Sequence, residues 1–554
     1  MIARRYNPTI SPHFRRNRNI SLHGRPVSAP TNAKRHPDKL KIDMDILATY
    51  CCVWHLKRFL RKNAPPNRHL QMKGSWDIIK CKLKSIALGR KGGAKVNIRI
   101  RLFRRWALKR RANLSPTQII AITFAVIILI GTVLLALPAA SRDGSACGLL
   151  NALFTATSAT CVTGLVMFDT WTQWSGFGQA VILALIEVGG LGFMSAASLF
   201  VFLLRRKVGL RQRMLMAQAL SVSDMESVVK LQKWVLAGSL SIQFAGALIL
   251  FFRFLPDYGL RRAAIWGVFH SVSAFCNAGF DIFGSIAPGA SAAAFNTDPV
   301  VMLTLMGLIT VSGLGFFVWE EVVRLHSWKK FSVYTKLVLL TSGALILLGG
   351  ISFCLLEWNN PDTLGPMTVG QKLLNGLFQS VTVRTAGFAG VDQAALSDGS
   401  KAVSIVLMLI GGSSGSTAGG VKTVTMVVLL LFIWSRLRGK GSVHVFKATV
   451  PENQVMDAMT IVTIVSGLAV VGAVFITATP PIGFTDALFE TVSALATVGL
   501  TAGVTTSLSI PGKLLIILFM YFGRVGVLTL SLGFLMGDRA EERYRYANTN
   551  LLIG

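Results

Sequence analysis

Acidic residues are scarce in this chain. Its 554 residues include 25 Asp and Glu against 57 Lys and Arg, a formal net charge of +32, and the four charged types together make up only 15%. Soluble domains carry about 25% charged residues, so an ordinary cytosolic enzyme is not expected. Cysteine is also sparse. The seven (Cys51, Cys52, Cys81, Cys147, Cys161, Cys276, Cys354) are odd in number and show no zinc-like spacing, which excludes a disulfide framework or a zinc module and leaves free thiols. Residues 1–50 lack an apolar core of useful length, so no signal peptide is expected. No paired carboxylates, metal-ligand cluster or nucleophile–base set occurs in a plausible setting, which removes support for an enzyme. What remains is 52% hydrophobic with a mean hydropathy of +0.55, the composition of a polytopic membrane protein.

The charge is unevenly placed. Residues 1–112 hold 29 Lys and Arg against four acids, Asp38, Asp43, Asp45 and Asp77. They contain no run near the ~20 apolar residues of a spanning helix. Arg99–Trp106 and Ala107–Arg111 mix cations with Leu, Phe and Trp, which suits an arm lying on anionic lipid at about 1 kcal/mol per cation. A partly disordered basic tail is the plainer reading; a nucleic-acid arm is disfavoured, and no nucleic-acid partner is expected. Met44 and Met72 are alternative starts inside the arm.

Apolar runs long enough to span occur at about 117–139, 178–204, 234–256, 299–323, 333–356, 402–435, 457–478 and 512–536. Within each successive pair sits one copy of a hydroxyl-rich segment that ends at Gly-Leu or Gly-Phe: Phe154–Leu165, Phe269–Phe280, Phe378–Phe388 and Phe489–Leu500. The glycines are 115, 108 and 112 residues apart, a fixed-period repeat. Each segment has only 10–12 suitable residues before its glycine, too few to cross, so it enters and turns back, its backbone covered by protein or water. The expected fold is an all-α membrane protein of four fused outer helix–pore loop–inner helix units around one pseudo-fourfold pore, with eight spanning helices. The units are 113–215, 216–331, 332–449 and 450–540, preceded by the basic cytoplasmic arm 1–112 and followed by a short cytoplasmic tail, 541–554. Cations after the second, fourth, sixth and eighth runs, such as Arg205, Arg324, Arg436 and Arg539, place both termini in the cytoplasm of a cell whose plasma (inner) membrane holds the chain. Arg253, Arg261 and Arg262 fall on the opposite side.

A ring of four glycine-bearing loops is one way to build a cation filter from backbone carbonyls, because glycine tolerates unusual backbone angles and leaves no side chain in the path. The expected filter strands are Cys161, Val162, Thr163 and Gly164; Cys276, Asn277, Ala278 and Gly279; Arg384, Thr385, Ala386 and Gly387; and Ala496, Thr497, Val498 and Gly499. Pore-helix hydroxyls (Thr155, Thr157, Ser158; Ser271, Ser273; Ser380, Thr382; Thr491, Ser493) are placed to brace them. The alternative is close helix packing by small residues. The third copy is one residue shorter and alone carries a cation, Arg384, so true fourfold symmetry is excluded. Asp169, Asp281 and Asp392 follow three of the glycines and would line an outer mouth that concentrates cations; solvated loop acids are the plain alternative.

The sixth run is interrupted by Gly411, Gly412, Ser413, Ser414, Gly415, Ser416, Thr417, Ala418, Gly419 and Gly420, five glycines in ten residues. At about 1 kcal/mol per glycine no regular helix holds there, and the freed backbone groups need water or protein. This loop, with Lys422 after it and the intramembrane Arg524 of the eighth run, is the gate candidate. Loop carbonyls and hydroxyls, or Glu187, are the expected partners of Arg524; simple helix pairing is the alternative.

Phe378–Phe388, the Gly411–Lys422 loop, the Gly189-Gly-Leu-Gly192 motif and Arg524 together resemble the Trk/Ktr/HKT superfamily of potassium and sodium transporters over about 113–540. Within it the chain looks most like the Ktr-type membrane subunit, since Trk-type subunits carry an additional pair of spans where this chain has its arm. The resemblance implies a homodimer with a pore in each protomer, potassium as the transported ion, no covalent cofactor, sodium stimulation, and a separate cytosolic ring of nucleotide-binding regulatory subunits. Gly164, where sodium-selective HKT proteins have serine, favours potassium. The readings still open are a sodium-permeable HKT-like pore and an ion-coupled secondary carrier. The carrier predicts inverted repeats and acids at depth, whereas all four units here run the same way.

Overall fold

A computed structural model describes residues 116–192, 228–446, 448–478 and 482–526. All lie in the larger of two compact units, Arg104–Gly554. The basic arm, the later parts of the expected second and eighth spans, and the tail lie outside the described residues.

Four units follow one another, each with a long first helix, a short second helix and a trailing helix. In the first, α1 (Pro116–Leu135) is followed by α2 (Leu149–Thr160), a four-residue turn α3 (Thr170–Gln173) and α4 (Gly176–Leu191). In the second, α5 (Val228–Cys276) supplies both the long and the short helix, separated at Gly259, whose φ is 73°; α6 (Pro299–Leu314) and α7 (Phe316–Leu325) follow. The third unit has α8 (Val333–Glu357), α9 (Val369–Thr382), α10 (Asp398–Leu409) and α11 (Thr423–Leu437). A small antiparallel hairpin, β1 (Val443–Val445) and β2 (Ala448–Val450), pairs Val443 with Val450. The fourth has α12 (Glu452–Thr477), α13 (Phe484–Leu495) and α14 (Ile510–Val525). The hairpin corrects the all-α expectation locally.

Among the described residues, α1, α5, α8 and α12 are long and apolar enough to cross a membrane, and α6 with α7 passes only as a pair bent by 93°. Among the described residues α6 does not run on as one straight span, and the later parts of the runs that begin with α4 and α14 lie outside the described residues. Single glycines close three of the trailing helices. α4, α6 and α14 each end on a glycine in the left-handed region, Gly192 (83°), Gly315 (91°) and Gly526 (93°), a backbone state that stops a helix at little steric cost.

Water does not drive helices together inside a bilayer, so close approach and interhelical hydrogen bonds must do it. The second, third and fourth units share a device for this. On the short helices, Ser271 donates to the Gln243 carbonyl at 2.6 Å, Ser380 to that of Ile346 at 2.9 Å and Thr491 to that of Ala469 at 3.1 Å, all on the preceding long helix. Gly246, Gly349 and Gly472 make room there, since a Cβ on Gly246 would stand 2.8 Å from Ser271 Oγ and one on Gly349 3.1 Å from Ser380 Cβ. The first residue of each repeat, Phe154, Phe269, Phe378 or Phe489, is at most 3% exposed and anchors its short helix in the core.

Candidate functional site

The four repeat segments leave their short helices in one backbone pattern. Two residues before each glycine, Val162, Asn277, Thr385 and Thr497 have φ of 56°, 59°, 71° and 52°, and Gly164, Gly279, Gly387 and Gly499 have 95°, 68°, 81° and 96°. Positive φ in a β-branched Val or Thr is a true outlier worth about 1–3 kcal/mol, and such strain persists only where surrounding structure enforces it.

Hydrogen bonds from the short helices enforce it. Ser158 Oγ accepts from Gly164 N and Ser493 Oγ from Gly499 N, both at 3.1 Å. Ser273 donates to the Phe280 carbonyl at 2.6 Å and Thr382 to that of Phe388 at 2.7 Å. In the third copy, one residue shorter, the N–H groups of Ala386 and Gly387 both reach the Thr382 carbonyl, at 2.9 and 3.3 Å.

The four glycines meet at one place. A Cβ on Gly164 would stand 3.2 Å from Gly279 Cα and 3.3 Å from Gly499 Cα; one on Gly279 would stand 2.8 Å from Gly387 Cα, and one on Gly499 2.8 Å from Gly164 Cα. The contacts run in chain order and close back on the first. All four glycines border a cavity of about 530 Å³ whose wall includes Asp169, Asp281 and Asp392. Asp169 also joins two units, because it accepts from Thr172 N at 2.8 Å in its own turn and from Gly289 N at 3.1 Å in the second unit. Burial pushes the Asp281 carboxyl up to about 6, with the nearby Asp169 charge adding to the rise.

Two side chains of the repeat segments turn to neighbouring helices. Asn277 accepts from Ser312 on α6 at 3.0 Å. Arg384 is turned sideways, with Nη2 3.3 Å from Ser342 Oγ on α8, beside a cavity of about 20 Å³ that Gly412 also lines. Only its backbone belongs to the ring. The hydroxyls of Thr160, Thr163, Thr385 and Thr497 are buried without a hydrogen-bond partner.

The glycine-rich loop is ordered by pinned ends. Gly411 N donates to the Val421 carbonyl at 2.8 Å, Thr423 Oγ1 to that of Gly411 at 2.7 Å, and Lys422 Nζ to that of Ala418 at 2.7 Å. Its middle packs against the second unit and against α8. Ser413 N donates to the Gly313 carbonyl at 3.0 Å and Phe316 N to that of Gly415 at 2.8 Å, across the break at Gly315. Tyr334 donates to the Ser414 carbonyl at 2.8 Å and Thr417 to that of Phe275 at 3.2 Å. A Cβ on Gly419 would stand 3.0 Å from the Ala496 carbonyl, so the loop abuts the fourth repeat segment.

Arg524 ties this loop to the first unit. It donates to the carbonyls of Thr417 and Gly189, and to that of Gly190 at 3.0 Å. The loop-carbonyl partner matches expectation; Glu187 does not pair with it. Glu187 instead accepts from Gln243 Nε2 at 3.1 Å and from Cys276 Sγ at 3.4 Å. Sequence reasoning missed the helix-ending glycines Gly192 and Gly315, although Gly-Leu-Gly at 190–192 and again at 313–315 was a readable signal.

The sequence profile of the TrkH family, described as cation transport protein, matches residues 100–542. The chain belongs to that family. Among its relatives, "Potassium/sodium uptake protein NtpJ" of Enterococcus hirae is 39% identical over 80% of this chain and 98% of its own length. "Ktr system potassium uptake protein B" of Bacillus subtilis is 38% identical over 78% of this chain and 95% of its own. The solved structure of "the Potassium Transporter TrkH from Vibrio parahaemolyticus" shares the fold at a TM-score of 0.57 and 18% identity, covering 75% of this chain and 85% of that one. These TrkH-family relatives are membrane transport subunits and not enzymes, and those of 38–39% identity are of the Ktr/NtpJ type, the membrane-subunit type expected from the sequence.

Proposed function

We propose that this protein is a potassium uptake subunit in which four units surround one pseudo-fourfold pore, with eight crossings of the membrane. The ring of four positive-φ glycines carries this reading. Alternating backbone hands along each strand turn successive carbonyls toward one axis, where they replace the water around a dehydrated cation. The unpartnered threonine hydroxyls beside the ring support it, because a buried polar oxygen without a partner is costly unless a ligand uses it. The printed names of the relatives point to potassium, with sodium also in one. Gly164 in place of serine favours potassium over a sodium-permeable pore.

The Gly411–Gly420 loop, with Lys422 and Arg524, is the gate, and permeation is passive, driven by about 2.3 kcal/mol per charge per 100 mV. Pairing into a homodimer, control by a separate cytosolic nucleotide-binding subunit, sodium stimulation, cytoplasmic termini and an arm on anionic lipid belong to the same proposal. A secondary carrier finds no support in four units of one direction.

The test is rubidium uptake by a potassium-uptake-deficient bacterium expressing this chain, with and without a co-expressed Ktr-type cytosolic subunit. Uptake that cold potassium blocks and equal sodium does not is the expected result; uptake blocked equally by both ions would replace potassium selectivity with the sodium-permeable reading.

The wall acids add a second expectation. Asp281 is charged above about pH 6 and neutral below it, so acidification removes one negative charge from the outer mouth while Asp169 and Asp392 still line it. Uptake at low potassium is expected to fall about threefold between external pH 7 and 5, since local cation concentration follows the local field. Asp281→Asn is expected to start at the lower rate and lose this step, read as initial rubidium uptake against external pH.

A further inference from the structure

The residue after the anchoring phenylalanine differs in each unit: Thr155, His270, Gln379 and Glu490. In the last three it performs one mechanical task, reaching from the short helix to the chain that emerges after the glycine. His270 Nε2 accepts from Ile282 N at 3.1 Å, which places its ring proton on Nδ1, facing the Trp266 carbonyl at 2.8 Å. Gln379 and Gln393 donate to each other at 2.6 and 3.2 Å. Glu490 accepts from Thr501 at 2.7 Å through Oε2 and from the Thr505 hydroxyl through Oε1. All three side chains are buried, Glu490 completely.

Glu490 is the carboxylate of the set, and its placement is costly. A carboxyl within the membrane is expensive and is normally paired or functional. Among the described residues no Lys or Arg forms an ion pair with it; its two partners are hydroxyls. Neutral side chains perform the equivalent task in the second and third units, so holding the chain together does not by itself call for an acid. The two oxygens of one side chain reach two points of the emerging chain, Thr501 through Oε2 and Thr505 through Oε1, so the clamp fixes both together. Thr501 also borders the cavity above the glycine ring. The chain from Gly499 to Thr501 therefore runs from the ring straight into the Glu490 clamp.

We propose that Glu490 is a positioning residue that holds the outer end of the fourth filter strand through Thr501 and Thr505, and thereby sets the preference for potassium over sodium. The proposal rests on the reading of the four segments as a filter.

The test measures rubidium uptake in the full chain, with potassium and sodium as competitors, alongside its abundance in the membrane and its melting in detergent. Glu490→Ala is expected to lower potassium-over-sodium preference about tenfold or more and to raise the half-saturating potassium concentration, with maximal rate little changed, because two buried hydrogen bonds to the emerging strand are lost and their partners left unpaired. Glu490→Gln keeps one acceptor of the same shape and is expected to restore most of the preference. Thr505→Val is expected to reproduce part of the defect and to add nothing on top of Glu490→Ala, the signature of residues acting as one unit. Should Glu490→Ala fail to reach the membrane, Thr501→Val and Thr505→Val carry the same test. Unchanged preference and half-saturation in these folded variants, while Gly499→Ser loses preference, overturns the proposal and leaves the filter reading standing. If Gly499→Ser also keeps its preference, the filter reading falls and this proposal with it.

Discussion

Gly499→Ser is expected to abolish the preference for potassium over sodium, the largest single effect in this protein. The glycine has a φ of 96°, a conformation that strains any residue with a Cβ by about 1–3 kcal/mol. Space is the second obstacle, since the added Cβ would stand 2.8 Å from Gly164 Cα and 2.9 Å from the Thr163 carbonyl carbon. Two strands of the ring must then separate or the backbone must flip, and either moves carbonyls away from the ion. Gly164→Ser, Gly279→Ser and Gly387→Ser meet the same two obstacles. Each is expected to reduce the ratio of potassium to sodium permeation at least tenfold, measured as competition against rubidium uptake in membranes with matched protein content. Four variants with intact selectivity would show that the ring is a packing feature and not a filter.

Arg524→Gln is expected to raise basal flux by one to two orders of magnitude in the absence of any cytosolic partner. The guanidinium holds three backbone carbonyls on two elements, Thr417 of the loop and Gly189 and Gly190 at the end of α4. Hydrogen bonds to a charged donor contribute about 1.5–3 kcal/mol each, and losing one such bond to the loop shifts a two-state equilibrium by roughly ten- to a hundredfold. Glutamine reaches less far and carries no charge. The measurement is flux into vesicles containing the purified chain, with melting temperature as the control for folding. Unchanged flux in a well-folded variant would assign Arg524 to packing alone. Excising part of Gly411–Gly420 removes the same barrier from the other side and is expected to act in the same direction.

Much of the ring was legible in the sequence because it is repeated. Phe154, Phe269, Phe378 and Phe489 mark four copies at near-constant spacing, and the hydroxyls at Ser158, Ser273, Thr382 and Ser493 brace the strands as their position suggested. Five glycines in ten residues announced the loop. The other helix breaks depend on one glycine apiece, and glycine in an apolar helix is as often a packing residue as a break. Gly315 ends α6 because its neighbours receive the loop, with Phe316 N on the Gly415 carbonyl. Arg384 lies inside a repeat segment yet turns its charge toward Ser342 on α8, which no local pattern encodes. The hairpin at 443–450 was missed for the opposite reason, since three-residue strands are too short to show a period.

Composition, periodicity and repeat spacing by themselves determined the membrane class, the four repeat segments with their glycines and the interrupted sixth run, because each is a property of a contiguous stretch of chain. The partnerships were decided only in three dimensions. Glu187 was one of the partners the sequence offered Arg524, yet Glu187 bonds Gln243 and Cys276 while Arg524 bonds backbone carbonyls. A buried charge takes whichever donors or acceptors the packed helices leave unsatisfied at its depth, and that supply exists only after Gly189, Gly190 and Thr417, hundreds of residues apart in some pairings, have been folded to one place.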